Sequence, residues 1–347
     1  MRRLTALSAV GLALILGVAY TGLGGVWQQV LQLPPNGAVL QVTPGESLGQ
    51  VLRKVEKKGW LNNAVWVGRI ASWSGRDLDI RAGEFYVQSD MTVAGLIEHL
   101  ASGSVMQYSI TIPEGLTLSR AISILSLHPK LVTTPEPLLK RELAAWVAPA
   151  RYPEGWFLPE TWSFTAGDTV LDILARSHAA MRQLLDTLWQ HRPQELPLNN
   201  PYEALILASI VERETAAPEE RIQIAGVFLR RLQRGMRLQT DPTVIYGLAD
   251  KYDGNLKRKH LRDAQNPYNT YAIKGLPPTP IALPGEASLR AVFSHDDSDN
   301  LYFVAKGDGT HAFSSTLKEH EKNVQLYQLT RRADYRSTPP VDRVLEK

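Results

Sequence analysis

The chain has 347 residues, 44% of them hydrophobic and 21% charged, which excludes a disordered polymer and supplies enough apolar material for two folded domains. A formal charge of +3 is too mild to indicate a nucleic-acid partner. The absence of cysteine removes disulfides, thiolate metal sites and cysteine nucleophiles together.

The N-terminus, "MRRLTALSAVGLALILGVAYTGLGGVW", places Arg2 and Arg3 before an uncharged, mostly apolar run from Leu4 to Val26. A bilayer-spanning helix needs roughly 20 such residues, whereas a secretory signal has an apolar centre of about 7–15 followed by a small-residue cleavage site. The run is long and no A-x-A site follows it, so it predicts a single membrane anchor rather than a cleaved signal. Arg2 and Arg3 then stay cytoplasmic, and everything after about Gln28 lies on the other side of the inner membrane.

Residues 28–37, ending in "LPPNG", predict a linker. Val39–Val42 predicts a strand, Ser47 a helix cap, and Leu48, Val51, Leu52 and Val55 the apolar face of a helix that Gly59 ends. A second helix is expected over Ala64–Ser72, a strand over Glu84–Val87, and a helix over Val93–Leu100 between Thr92 and Gly103. Another strand runs through Ile110, and a helix starts near Leu118. Leu138–Val147 is expected to be helical. "YPEGWFLPETWSF" carries two prolines and cannot be a regular helix. Asp168 is expected to cap a helix running to about Trp189, and "LILASIVERETAAPEERIQIAGVFLRRL" predicts two helices with a break. After it, "MRLQTDPTVIYGL", "NPYNTYAIKGLPPTPIALPG" and "LYFVAKGDGTHAFSSTLKEH" predict loops alternating with short strands. A terminal helix is expected over Leu317–Arg331, followed by a loose tail, residues 336–347.

On a helical wheel, Leu207, Ile210 and Val211 define an apolar stripe with Glu214 in its middle, while Glu212 points toward Leu205 and Ala208. Burial of a carboxyl against apolar neighbours raises its pKa and suits it to general-acid work. The bland alternative is that Glu214 reaches water or pairs with Arg213 or Arg221. No histidine stands at a ligand spacing such as H-E-x-x-H, so no metal is expected. Arg230, Arg231, Arg234 and Arg237 could meet an anionic polymer, but one polar helix face is the simpler reading. Gln239, Thr240 and Asp241 stand at a turn that either hydrogen-bonds a sugar or caps a helix. Asn266, Tyr268, Asn269, Thr270 and Tyr271 suit a carbohydrate or plain packing. His311 lies near Ser314 and Ser315, but no G-x-S-x-G turn surrounds a serine, which disfavours a serine hydrolase.

An N-terminal anchor, then "IPEG", "EGWFLPETW", "ASIVERET", "RLQTDPTVIYG", "YNTY" and "GLPPTPIALPG" in that order, resemble the endolytic murein transglycosylases, the MltG or YceG-like family. The chain departs from the family pattern at Thr279 and Leu283. The resemblance implies an α+β architecture: a transmembrane anchor over 1–27, a linker over 28–38, a LysM-like peptidoglycan-binding module over 39–107 and a catalytic domain over 108–335. It implies a single-pass bacterial inner-membrane protein with a periplasmic catalytic region. The implied reaction cleaves the MurNAc-β-1,4-GlcNAc bond of nascent glycan strands, leaves 1,6-anhydroMurNAc ends and terminates strand elongation. Penicillin-binding peptidoglycan synthases are the implied protein partners, and no cofactor is implied. The catalytic acid falls on Glu214, with Glu212 as runner-up, and Gln239, Thr240, Asp241, Asn269 and Tyr271 are the expected substrate-binding residues. Competing readings are a membrane-anchored, non-catalytic peptidoglycan-binding scaffold and a muramidase-type hydrolase of the same bond, for which Asp241 could be the second carboxyl.

Overall fold

The computed structural model of the protein describes residues 24–75, 79–148, 150 and 152–329. The expected anchor, Leu4–Val26, falls almost wholly outside the described residues. Among those described, no helix is long and apolar enough to cross a membrane. The tail, residues 336–347, also lies outside them. The described residues divide into two compact units, one within residues 24–109 and 163–168, the other within residues 110–162 and 169–329.

In the first unit, β1 (Ala38–Val42) pairs antiparallel with β2 (Gly83–Val87), Leu40 opposite Phe85. Between them come α1 (Leu48–Lys57) and α2 (Ala64–Trp73), and after them α3 (Val93–Ser102). Ser47 closes a capping box with Gln50 at the start of α1, and Thr92 Oγ1 accepts from Gly95 N at the start of α3. These polar starts relieve amides that have no partner inside the helix. The spacing of Leu48, Val51, Leu52 and Val55 puts all four into one core with Leu40, Phe85, Leu96 and Leu100. Each such side chain, once buried, contributes about 1.5–3 kcal/mol.

Strands β3 (Gln107–Thr111) and β4 (Thr161–Thr165) form a second two-stranded sheet. The second unit continues with α4 (Leu118–Ser126), α5 (Glu136–Trp146), α6 (Val170–Gln190), α7 (Pro201–Glu214), α8 (Arg221–Gln233), α9 (Asp241–Leu248), the single turn α10 (Arg258–Leu261), α11 (Glu286–Phe293), the antiparallel hairpin β5 (Tyr302–Ala305) and β6 (His311–Ser314), and α12 (Leu317–Val324). The whole is α+β, as the composition of its segments predicts.

Three local expectations are corrected. Thr169, not Asp168, caps α6: it exchanges bonds with Asp172, while Asp168 turns back to accept from Thr165. "DPTVIYGL" is a helix, not a strand. Pro242 in its first turn presets the backbone, and its β-branched residues pack into a helical core instead of a sheet. The terminal helix is regular only to Val324, and residues Gln325–Leu329 continue it with a wider turn.

The helix that organises the second unit is α7. Asn200 caps it and Pro201 opens it. Every residue from Ala204 to Val211 is buried, so the apolar stripe expected from the wheel is in fact a full circumference. A helix apolar all round belongs in the middle of a core. Its neighbours include Met181 and Leu185 of α6, Ile224 and Phe228 of α8, and Leu289 and Val292 of α11.

Candidate active site

Because α7 is central, its last turn delivers side chains from the core to the edge of a cleft of about 610 Å³. Glu214 is the final helical residue and lines that cleft. It is half-buried, and Oε1 accepts a hydrogen bond from Thr240 Oγ1. Burial pushes its carboxyl up from 4.5 to about 6. The neighbouring Asp241 adds to the rise, while the Thr240 hydroxyl and the cationic forms of His311 and Arg231 oppose it. The position at the C-terminal end of a helix works in the same direction as burial, because the unsatisfied carbonyls there disfavour an anion.

Glu212 has a different task. Its Oε2 accepts from Gly285 N at 3.0 Å and from Ser288 Oγ at 2.7 Å, so it caps the start of α11. Arg213 reaches the Gly115 carbonyl at 3.1 Å, leaving Glu214 as the carboxylate of this turn that faces the cleft.

Gln239, Asp241 and Tyr271 line the same cleft. Gln239 holds φ at +52°, a left-handed conformation uncommon for a side-chain-bearing residue, and its N–H bonds the Thr270 carbonyl. Backbone strain of this kind costs about 1–3 kcal/mol and collects at functional sites. Tyr271 Oη donates to Asp241 Oδ1 at 2.7 Å. Thr240 is only 2% exposed, and besides its bond to Glu214 its backbone N–H donates to Thr270 Oγ1 at 3.0 Å. Asn269 does not join the cleft. It is fully buried, its Nδ2 is given to the carbonyls of His260, Leu261 and Asp263, and its Oδ1 accepts from Tyr271 N. With its hydrogen-bonding capacity spent, its geometry is that of a loop organiser holding Tyr271 in place. Leu283 is wholly buried, with its backbone bonded to Gly115 and Leu116, and has no place in the cleft.

The four arginines of the "RRLQRGMR" segment separate. Arg230 pairs with Asp296 at 2.7 Å. Arg234 and Arg237 are exposed. Arg231, 7% exposed, gives Nε to the Leu301 carbonyl and Nη1 to that of Leu238, both at 2.7 Å, and still lines the cleft. A solvated polar surface therefore describes Arg234 at the end of α8 and Arg237 beyond it, while Arg230 and Arg231 are held by partners. His311, Tyr302 and His320 complete the wall. His311 is gripped by Glu220 at two points, backbone N and ring Nδ1, each at 2.7 Å. No periodicity or local motif pairs Glu220 with His311, which lie 91 residues apart in sequence. The available signal was a histidine beside a Gly-rich hairpin turn, "GDGTHAF". Among the described residues, no group of three or more His, Cys, Asp or Glu side chains could hold a metal.

Comparison with known proteins agrees with this architecture. The chain is 32% identical over 267 residues to the endolytic murein transglycosylase of Bacillus subtilis, covering 71% of this chain and 73% of that one. It is 27% identical over 353 residues to the endolytic murein transglycosylase of Streptococcus pneumoniae, covering 91% of this chain but spanning only 63% of that relative's length. A crystal structure of a yceG-like protein from Listeria monocytogenes superposes with a TM-score of 0.51 at 27% identity, over 83% of this chain and 99% of that one. The YceG-like family model matches residues 40–326, most of both units, and the chain belongs to the YceG-like family.

Proposed function

We propose that the protein is a lytic transglycosylase of peptidoglycan, cutting the β-1,4 bond between MurNAc and GlcNAc and leaving a 1,6-anhydroMurNAc end. The observation that carries this reading is Glu214: a carboxyl raised to about 6 by burial, at the edge of a polar cleft large enough for sugar rings. A group with that pKa retains a useful protonated fraction near neutral pH and can still act as a base after donating. Glu214 gives its proton to the bridging oxygen as the C1–O bond breaks. The C6 hydroxyl of the muramyl residue attacks C1, so neither water nor a protein nucleophile is required. The N-acetyl carbonyl of that sugar can support the oxocarbenium-like state. Gln239, Asp241 and Tyr271 are suited to hold sugar hydroxyls, and Thr240 aims the carboxyl. The relatives named endolytic murein transglycosylases support the substrate class.

Asp241 is the other carboxylate lining the cleft, and it gives the hydrolase reading a specific observation, since most glycosidases use a carboxyl pair. Its bond from Tyr271 Oη favours a binding role over that of a base. The products decide. Purified glycan strands treated with the wild-type chain should yield anhydro ends, Glu214→Gln should yield none, and Glu212→Gln should keep the wild-type product. Reducing ends would establish the hydrolase, and no product at all the scaffold.

The first unit extends the reading to a LysM-like peptidoglycan-binding module. Trp66 and Trp73 stand well exposed on α2, where sugar faces can stack, and a groove of about 370 Å³ runs between α1 and α2. The Leu4–Val26 run supports a single-pass inner-membrane anchor with a periplasmic catalytic region. That placement suits nascent strands as substrate, strand termination as role and the penicillin-binding synthases as partners.

A further inference from the structure

Glu220 is a buried carboxylate that the proposed reaction does not use. It sits in the turn Pro218–Glu220 before α8, only 7% exposed. Burial by itself would raise its pKa, yet the bonds from the ring and the backbone N–H of His311, with help from Thr215 Oγ1, hold it below the usual glutamate range. It is therefore a fixed anion at neutral pH. Its Oε2 takes the His311 Nδ1 hydrogen at 2.7 Å while Oε1 takes the His311 backbone N–H at 2.7 Å. A carboxylate accepting at Nδ1 keeps the hydrogen on that nitrogen, so any proton the ring gains or loses is carried by Nε2. Phe303 stands edge-on to the ring at 5.4 Å and limits its rotation. Nε2 takes no hydrogen bond among the described residues, and His311 lines the cleft that Glu214 lines. Glu220 meets the ring at Nδ1, and the titratable groups that line the cleft with His311 are Glu214 at the end of α7, Arg231 from α8, Asp241 at the start of α9, Tyr271, Tyr302 from β5 and His320 from α12.

We propose that His311, oriented by Glu220, is the second proton-transfer group of the cleft: its Nε2 takes the proton of the muramyl C6 hydroxyl while Glu214 donates to the departing oxygen. The inference rests on the transglycosylase reading and divides its chemistry between two residues. The C1–O4 bond breaks, and its electron pair goes to O4, which takes the Glu214 proton. The C1–O6 bond forms, and the O6 proton passes to His311 Nε2. The products are a 1,6-anhydro end and a free 4-hydroxyl end. The imidazolium, flanked by the Glu220 and Glu214 carboxylates, then returns its proton to Glu214 directly or through one water, and no co-reactant is consumed. The arrangement, an imidazole base with its Nδ1 hydrogen on a carboxylate, recurs on unrelated folds where a hydroxyl nucleophile is activated.

The test compares the full-length wild-type chain in detergent with His311→Asn, Glu220→Gln and Glu214→Gln on purified, uncrosslinked glycan strands, following anhydro ends from pH 4.5 to 8.5. Asparagine keeps a donor where Nδ1 stood, so the bond to Glu220 and the fold survive while the proton acceptor is lost. Wild-type kcat should pass through a maximum with pH, because the reaction needs one group unprotonated and the other protonated. His311→Asn should lower kcat about 100-fold or more and lose the rising limb while keeping the falling one. Glu220→Gln should lower kcat less and shift the rising limb, because the ring's partner is no longer an anion; this second variant carries the test if the first is unstable to heat. A His311→Asn rate within threefold of wild type, or an unchanged rising limb in both variants, overturns the role of His311 and leaves the transglycosylase reading intact. A wild-type chain that makes no anhydro ends overturns both.

Discussion

A carboxyl held protonated for catalysis should burden the fold that holds it. Moving Glu214 from 4.5 to about 6 disfavours its charged form by about 2 kcal/mol, an upper figure because one side of the group faces the open cleft. The sign follows from proton counting. Between those two values the native state binds more protons than the unfolded chain, so stability falls as pH rises through the interval. Below pH 4.5 both states are largely protonated and the burden vanishes. Glu214→Gln resembles the protonated acid, and its amide oxygen can still accept from Thr240 Oγ1. The variant should therefore match wild type in stability near pH 4 and exceed it by up to about 2 kcal/mol at pH 8, while making no anhydro product. Urea unfolding followed by circular dichroism at the two pH values measures the difference, and a carbon-13 titration of the side chain measures its pKa directly. Equal stability of variant and wild type at pH 8, together with an ordinary glutamate titration, would refute the argument that burial supplies the proton donor.

The same reasoning applies to Glu154, whose burial pushes it up to about 7 although Leu118 N and Tyr246 Oη both donate to it. Glu154→Gln should raise stability by up to about 3 kcal/mol at pH 8 and leave it unchanged near pH 4, because Tyr246 Oη can turn to accept from the new amide. Glu212→Ala removes the acceptor for Gly285 N and Ser288 Oγ and should destabilise the fold by about 1–2 kcal/mol, read as a lower urea midpoint. Its products should remain anhydro-ended.

Much of the local structure was legible because it depends on neighbours in sequence. The caps at Ser47 and Thr92 and the spacing of Leu48, Val51, Leu52 and Val55 specify α1 and α3 before any tertiary contact forms. The errors arose where context overrides propensity. "DPTVIYGL" carries residues that favour strands, but Pro242 and a helical core make it α9. Asn269 looked like a sugar ligand by residue type, and only the backbone path around it reveals that its amide serves three carbonyls.

The order of motifs along the chain suffices for the family, and the period of a helix ending in "VERET" sets Glu214 on its apolar stripe and Glu212 off it. Only the packing decides that α11 occupies Glu212 and that Thr240 reaches Glu214 from 26 residues away. The Glu220–His311 pair lay beyond any periodicity. Its partners meet only when the hairpin β5–β6 folds back beside the start of α8, and electrostatics between side chains depends on distance in space, which sequence separation does not encode.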